Sequence, residues 1–341
     1  MTSGFSRLNL FSSKRSAPQY RTWTALLPSR WPLCMLVVLI THFSPMSHAT
    51  EITGLSGDVT ALAFSPDGKT LAAADSSYEL TLWEIPSGKL RTKLNGVGTS
   101  TNRVCWSPDG KIIYGTASNH WIAWDAVSGK EKIKIEAKMA RTVASTIALS
   151  PDGKKLAAAG NSLVKFWETE SGDAVAEYEV HPNYPANWLA FSPDGKSVVT
   201  TSNDRTAQVS EVATGAGTTY TCGGRVSFAE FSANGKTLFV VDQSPRLHSI
   251  NLTTGQDTTI PELQRVPKQI AVSRDGRFVA FAGPSLLVWS IAEGTWSKKT
   301  LADSVVGATA IAFSPDSKFV ACGDAEGRIH LWSIQEILSG K

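Results

Sequence analysis

The sequence predicts an all-β repeat domain built from seven four-stranded antiparallel units. Three observations point to it. A Ser-Pro-Asp-Gly-like turn occurs seven times, with its serines at Ser65, Ser107, Ser150, Ser192, Ser232, Ser273 and Ser314. The steps between them are 42, 43, 42, 40, 41 and 41 residues. Each copy holds four short apolar runs separated by turn residues. A self-similar period of about 40 residues marks an architecture in which each unit buries its apolar faces on its neighbours.

The first copy shows the grammar. Val59 to Phe64 is an apolar run that ends in Ser65-Pro66-Asp67-Gly68-Lys69. Proline presets the first central dihedral of a turn, Asp bonds its own local backbone, and Gly tolerates a positive φ. A second run, Leu71 to Ala74, leads through Asp75-Ser76-Ser77-Tyr78 into a third, Leu80 to Ile85. After a second turn, Pro86-Ser87-Gly88-Lys89, comes a fourth strand, Leu90 to Leu94, which alternates apolar and polar residues. Short alternating runs bounded by such turns read as an antiparallel meander.

The later copies keep this register. The turn recurs intact at Ser107, Ser150 and Ser192, and in altered form as Ser232-Ala233-Asn234-Gly235, Ser273-Arg274-Asp275-Gly276 and Ser314-Pro315-Asp316-Ser317. A basic residue follows every time: Lys69, Lys111, Lys154, Lys196, Lys236, Arg277 and Lys318. The third strand closes on Trp83, Trp124, Trp167, Trp289 and Trp332, with Ser210 and Ile250 in the remaining two copies. Aromatic residues at the repeat period are expected to pack between neighbouring units.

These motifs resemble the WD40 family over about residues 51 to 338. The likeness rests on the Phe64-to-Gly68 and Phe191-to-Gly195 turns and on the Trp-acid pairs Trp83-Glu84, Trp124-Asp125 and Trp167-Glu168. It implies a seven-bladed β-propeller whose blades ring a central channel. Two departures stand out. The family's Gly-His pair before the first strand is absent. Its Asp between the second and third strands aligns in strict register only with Asp204, while Asp75, Asp242 and Asp324 lie two residues earlier. The family's His–Ser–Asp–Trp hydrogen-bond network is therefore not expected in its usual form.

The two ends complement each other. The seventh copy lacks a fourth strand after Trp332-Ser333-Ile334, and Glu51-Ile52-Thr53-Gly54-Leu55 is an orphan strand before the first copy. An unpaired third strand would leave a row of open donors and acceptors. The N-terminal strand is thus expected to pair with the last blade and close the ring, as WD40-like propellers do. Residues 50–341 then form one domain.

Residues 1–49 contain Arg7, Lys14, Arg15, Arg21 and Arg30, no acidic residue, an apolar run from Leu33 to Ile40, and Ser47-His48-Ala49. This is the pattern of a cleaved secretory signal, with export to the periplasm or extracellular space; an organelle transit peptide and an uncleaved anchor are the alternatives. The apolar run falls short of the roughly 20 residues that span a bilayer, so no stable membrane span is expected in the mature chain. Without this segment the formal charge falls from +3 to about −2, a poor footprint for nucleic acid. Cys105, Cys222 and Cys322 are too few and too scattered for a disulfide framework.

No haem, zinc, phosphate-loop or nucleophile-elbow motif occurs. Neither a catalytic site, nor a cofactor, nor a metal is expected. The informative contrast is between the two ends of the units. The Ser-Pro-Asp-Gly and second turns are short and uniform. At the other end lie Ser118-Asn119-His120, Asn203-Asp204-Arg205, Ser244-Pro245-Arg246 and Glu326-Gly327-Arg328 between the second and third strands. Asn102-Arg103, His181-Pro182-Asn183-Tyr184 and Gly224-Arg225 lie between units. Variable loops on a rigid frame carry function. The expected site is therefore partner binding through His120, Tyr184, Asp204, Arg205, Arg225, Arg246, Glu326 and Arg328. The resemblance implies a noncatalytic scaffold for a protein or peptide, and a monomer is expected; the rival is an exported hydrolase or lyase with its site at the channel mouth.

Overall fold

A computed structural model describes residues 50–94, 101, 103–117, 120–137, 146–260, 263, 265–299 and 307–339. The expected leader, residues 1–49, and the loop residues Asn102, Ser118 and Asn119 lie outside the described residues.

The strands form seven four-stranded antiparallel sheets, six of them ordered as they run along the chain. β1 (Thr50–Ile52) precedes blade one, which consists of β2 (Val59–Phe64), β3 (Thr70–Asp75), β4 (Leu80–Glu84) and β5 (Leu90–Leu94). The first strands of successive blades lie side by side and line a central channel. Blade seven takes its outer strand from the other end of the chain. Thr50 pairs with Leu331, Glu51 with His330 and Ile52 with Ile329. The expected closure is thus formed, by residues 50–52.

The seven turns are built alike. In the first, the Ser65 hydroxyl donates to Asp67 (2.6 Å) and accepts the Thr70 N–H (2.9 Å), while Asp67 accepts the Lys69 N–H (3.0 Å). Gly153 shows why the fourth residue is small. It has φ +73°, and a Cβ there would lie 2.5 Å from Pro108 of the preceding blade.

The core is divided among the blade boundaries. Buried apolar residues fall into seven clusters, each spanning two adjacent blades. Trp124 packs against Leu80, Leu82 and Leu94 of blade one, and Trp83 packs against Ile52 and Leu331 across the seam. The repeating tryptophans are inter-blade packing groups. Where Ser210 and Ile250 replace them, Phe166 of blade three and Ile250 itself lie in the clusters.

Polar staples reinforce this packing. The first strands of blades one, four and seven begin with a bulge at Thr60, Asn187 and Thr309. These side chains donate to backbone carbonyls of the next blade: Thr60 to Thr101 (2.7 Å), Asn187 to Val226 (3.1 Å) and Thr309 to Val59 (2.6 Å). A bulge turns one residue out of the ladder, which frees it to reach sideways.

A short helix, α1 (Ile334–Ser339), follows the last strand. Ser333 and Glu336 form a capping box at its start, and Ile334 and Ile337 are buried against blades six and seven. Among the described residues no helix is long and apolar enough to cross a membrane.

Candidate functional site

Antiparallel order puts the loops between second and third strands, and those between blades, on one face. On that face each blade must end a buried strand and turn, so backbone donors need acceptors. Blades one, five and seven answer with an aspartate that is fully buried. Asp75 accepts the N–H groups of Ser56, Ser77 and Glu79. Asp242 accepts those of Ser244 and Arg246, and Asp324 those of Glu326 and Arg328. In the last two, a histidine six residues on meets the other carboxylate oxygen: His248 at 3.4 Å and His330 at 3.0 Å.

Blade four solves the same problem differently. His181, in the loop before the blade, is 2 % exposed. Its Nδ1 lies 2.9 Å from Asp204 and 3.0 Å from the Thr206 hydroxyl, and its Nε2 lies 3.0 Å from the Thr200 hydroxyl. This is a variant of the family's network, reached by a histidine without the Gly-His pair. Ser210 stands where the tryptophan would, so the network lacks its aromatic member. His181 is an internal group rather than a surface one. Asp204, expected at a binding surface, is anchored to it and to Thr206.

The remaining expected residues divide into groups. Tyr184 (48 % exposed) and Arg205 flank the His181–Asp204 pair. Arg205 has φ +73°, as Tyr78 does at +68° in the corresponding turn of blade one. Arg225 and Arg246 are exposed on the adjoining loops of blade five. Arg328 is less available, because it pairs with Asp324 (2.9 Å) and Glu326 (2.6 Å) at the seam. His120 stands apart: it is half-buried and opens the third strand of blade two, opposite Glu136.

The channel holds a cluster that the reading above did not single out. All seven inner strands line a cavity of about 350 Å³. Arg103 lies in it, with its guanidinium carbon 3.8 Å from the centroid of a Trp188 ring and a terminal nitrogen 3.7 Å from Glu230. Burial pushes the Glu230 carboxyl up, and the Arg103 charge opposes this. Cys105 also lines the channel, and burial raises its thiol to about 11. The signal was available. Two residues before each turn serine stand Ala63, Cys105, Ala148, Ala190, Glu230, Ala271 and Ala312, so Glu230 is the charged member of a small-residue column.

Cys222 and Cys322 are buried and free. Burial raises both thiols, Cys222 to about 12. No group of three or more His, Cys, Asp or Glu side chains suited to a metal ion occurs among the described residues.

Comparison with known proteins agrees with this geometry. The family model described as WD40, "WD domain, G-beta repeat", matches residues 47–84, 172–209 and 296–333. The last two matches each run from the outer strand of one blade through the third strand of the next. The chain is similar to the small ribosomal subunit protein RACK1y of Oryza sativa subsp. japonica, at 28% identity over 47% of this chain and 49% of that protein. It is similar to autophagy-related protein 16 of Arabidopsis thaliana, at 21% identity over 86% of this chain and 50% of that one. It also matches apoptotic protease-activating factor 1 of Mus musculus, at 25% identity over 80% of this chain and 23% of that protein. The chain spans about half the length of the first two relatives. WD-repeat proteins are typically protein-interaction scaffolds and generally not enzymes. The chain is therefore a seven-bladed β-propeller in which three WD40 repeats are matched at separate places around the ring.

Proposed function

We propose that this protein is an exported, noncatalytic scaffold that binds a protein or peptide on the face carrying the loops between second and third strands and between blades. One observation carries the reading. The opposite face repeats one turn seven times, while this face presents a different loop from each blade on a buried hydrogen-bonded frame. Such loops supply distinct side chains at low ordering cost, which favours specific recognition. Export rests on the acid-free basic leader with its apolar run and Ser47-His48-Ala49.

The test is a partner captured by affinity purification and then titrated against two variant sets. Ala substitution at Tyr184, Arg205 or Arg246 is expected to weaken binding by roughly 2 kcal/mol at a true anchor. Ala substitution at Lys69, Lys154 and Lys196 on the uniform face is expected to change little. The reverse result would move the site to the uniform face.

A further inference from the structure

The loops of blades four and five are tied together by their backbones. The Arg205 carbonyl accepts the Cys222 N–H (2.9 Å), and the Arg225 carbonyl accepts the Gln243 N–H (2.7 Å). A Cβ at Gly223 would lie 3.2 Å from a terminal nitrogen of Arg246. Three exposed arginines thus project from connected loops, with exposed Lys268 following at the first strand of blade six. None of the four forms an ion pair with a described residue.

Two other cations are matched. Lys93 pairs with Glu79 at 2.8 Å, and Arg103 faces Glu230. The sharpest contrast is with Arg328, which holds the same turn position as Arg246, four residues after a buried aspartate. Arg328 is taken up by Asp324 and Glu326. In blade five Ser244 stands where Glu326 would, so that turn lacks the second carboxylate that helps to hold Arg328. Arg246 is left open to solvent. Among the described residues of this sector, Asp204, Asp242 and Asp257 are engaged by histidines.

One further fact favours a ligand over a chance arrangement. The ring as a whole carries about −2, so the patch reflects sorting of charge rather than a basic protein. Three or four cations are few for a nucleic-acid track, but they suit two or three carboxylates bound by guanidinium forks.

We propose that the segment bound on this face is acidic: an extended peptide with at least two carboxylates that crosses blades four and five over Arg205, Arg225 and Arg246. This rests on reading the variable-loop face as the docking face. The probe is fluorescein-labelled hexaglutamate, with hexaglutamine as control, titrated into the purified protein at about 25 mM salt, where screening is weak. Hexaglutamate should bind. The Arg205→Glu/Arg225→Glu/Arg246→Glu variant should weaken it at least tenfold, and Lys69→Glu/Lys154→Glu/Lys196→Glu less than twofold. If the triple variant melts early, Arg246→Gln alone should still weaken binding severalfold at an unchanged Tm. Equal affinity for hexaglutamate and hexaglutamine, or equal loss in both charge-reversal sets, would overturn the proposal. So would tighter arginine-dependent binding of an oligothymidylate or of phosphatidylserine vesicles. A captured partner weakened by Tyr184→Ala but indifferent to arginine reversal would leave the docking face standing and remove its acidic chemistry.

Discussion

His330 Nε2 lies 3.0 Å from Asp324 Oδ2, six residues back across the turn of blade seven. The imidazole also stacks on Trp332, with centroids 5.3 Å apart and planes 12° from parallel. The carboxylate, fully buried, accepts two backbone N–H groups and the Arg328 guanidinium as well. One side chain therefore closes the turn, orients the histidine and fixes the arginine beside the ring seam.

Asp324→Ala is expected to destabilise the protein by about 3 kcal/mol or more, because it strands several buried partners at once. Asp324→Asn, which keeps the acceptor for the turn but loses the charge, should cost less. Urea unfolding of both variants decides it; equal and small losses would show that solvent replaces the carboxylate.

Tyr78→Gly is expected to stabilise by about 0.5–1 kcal/mol. Tyr78 sits at φ +68°, and Gly327, at φ +75°, occupies the same place in blade seven. The ring is 54 % exposed, so little packing is lost, and the relieved strain exceeds the added freedom of the unfolded chain. A lower unfolding midpoint for Tyr78→Gly would refute this.

Acid should unfold the protein through its repeated turns. The serine hydroxyls, then the lysine N–H groups, hold Asp67, Asp109, Asp152 and Asp194 below the usual carboxylate range. A depressed folded value means stability that is present above the unfolded value, about 3.9, and lost as pH falls through the folded one. Asp324 moves the same way: burial raises it, but His330, the turn N–H groups and Arg328 outweigh burial. Tm should hold between about pH 5 and 7 and fall below about pH 4. Asn at the four turn positions should flatten that fall, since Asn234 already fills the role in blade five without titrating. A melt unchanged down to pH 3 would count against the mechanism.

Removing Thr50–Ile52 should open the ring. Ile52 is 1 % exposed and shares the seam cluster with Leu331 and Trp83, so the loss combines its burial with a full set of strand pairs. A drop of about 3 kcal/mol or loss of solubility is expected. Equal melting and solubility of the truncated and intact proteins would show the strand to be dispensable.

N-terminal sequencing of the native protein should read from Thr50 or close to it. A cut after Ala49 would leave every residue of the closing strand in place. A native chain that starts at Met1 and resides in the cytosol would contradict export.

The sequence by itself determined the repeat count, the four-strand grammar, the role of the tryptophans and the closure of blade seven. Each follows from local chemistry repeated at a fixed period: Ser-Pro-Asp-Gly permits one kind of turn, and a missing outer strand at one end matches a spare one at the other. It also marked the variable face, because departures from a repeat are visible in one dimension. Tertiary structure decided which residues on that face are free. Arg246 and Arg328 occupy the same turn position, yet Arg328 is paired with Asp324 and Glu326 while Arg246 pairs with no described residue. His181 sits in a loop by sequence but is buried, because Thr200 of the second strand and Asp204 of the turn after it close over it. Arg103 and Glu230 are 127 residues apart and meet only because the first strands of blades two and five face the same channel. Such pairings depend on ring closure, and no spacing along the chain encodes them.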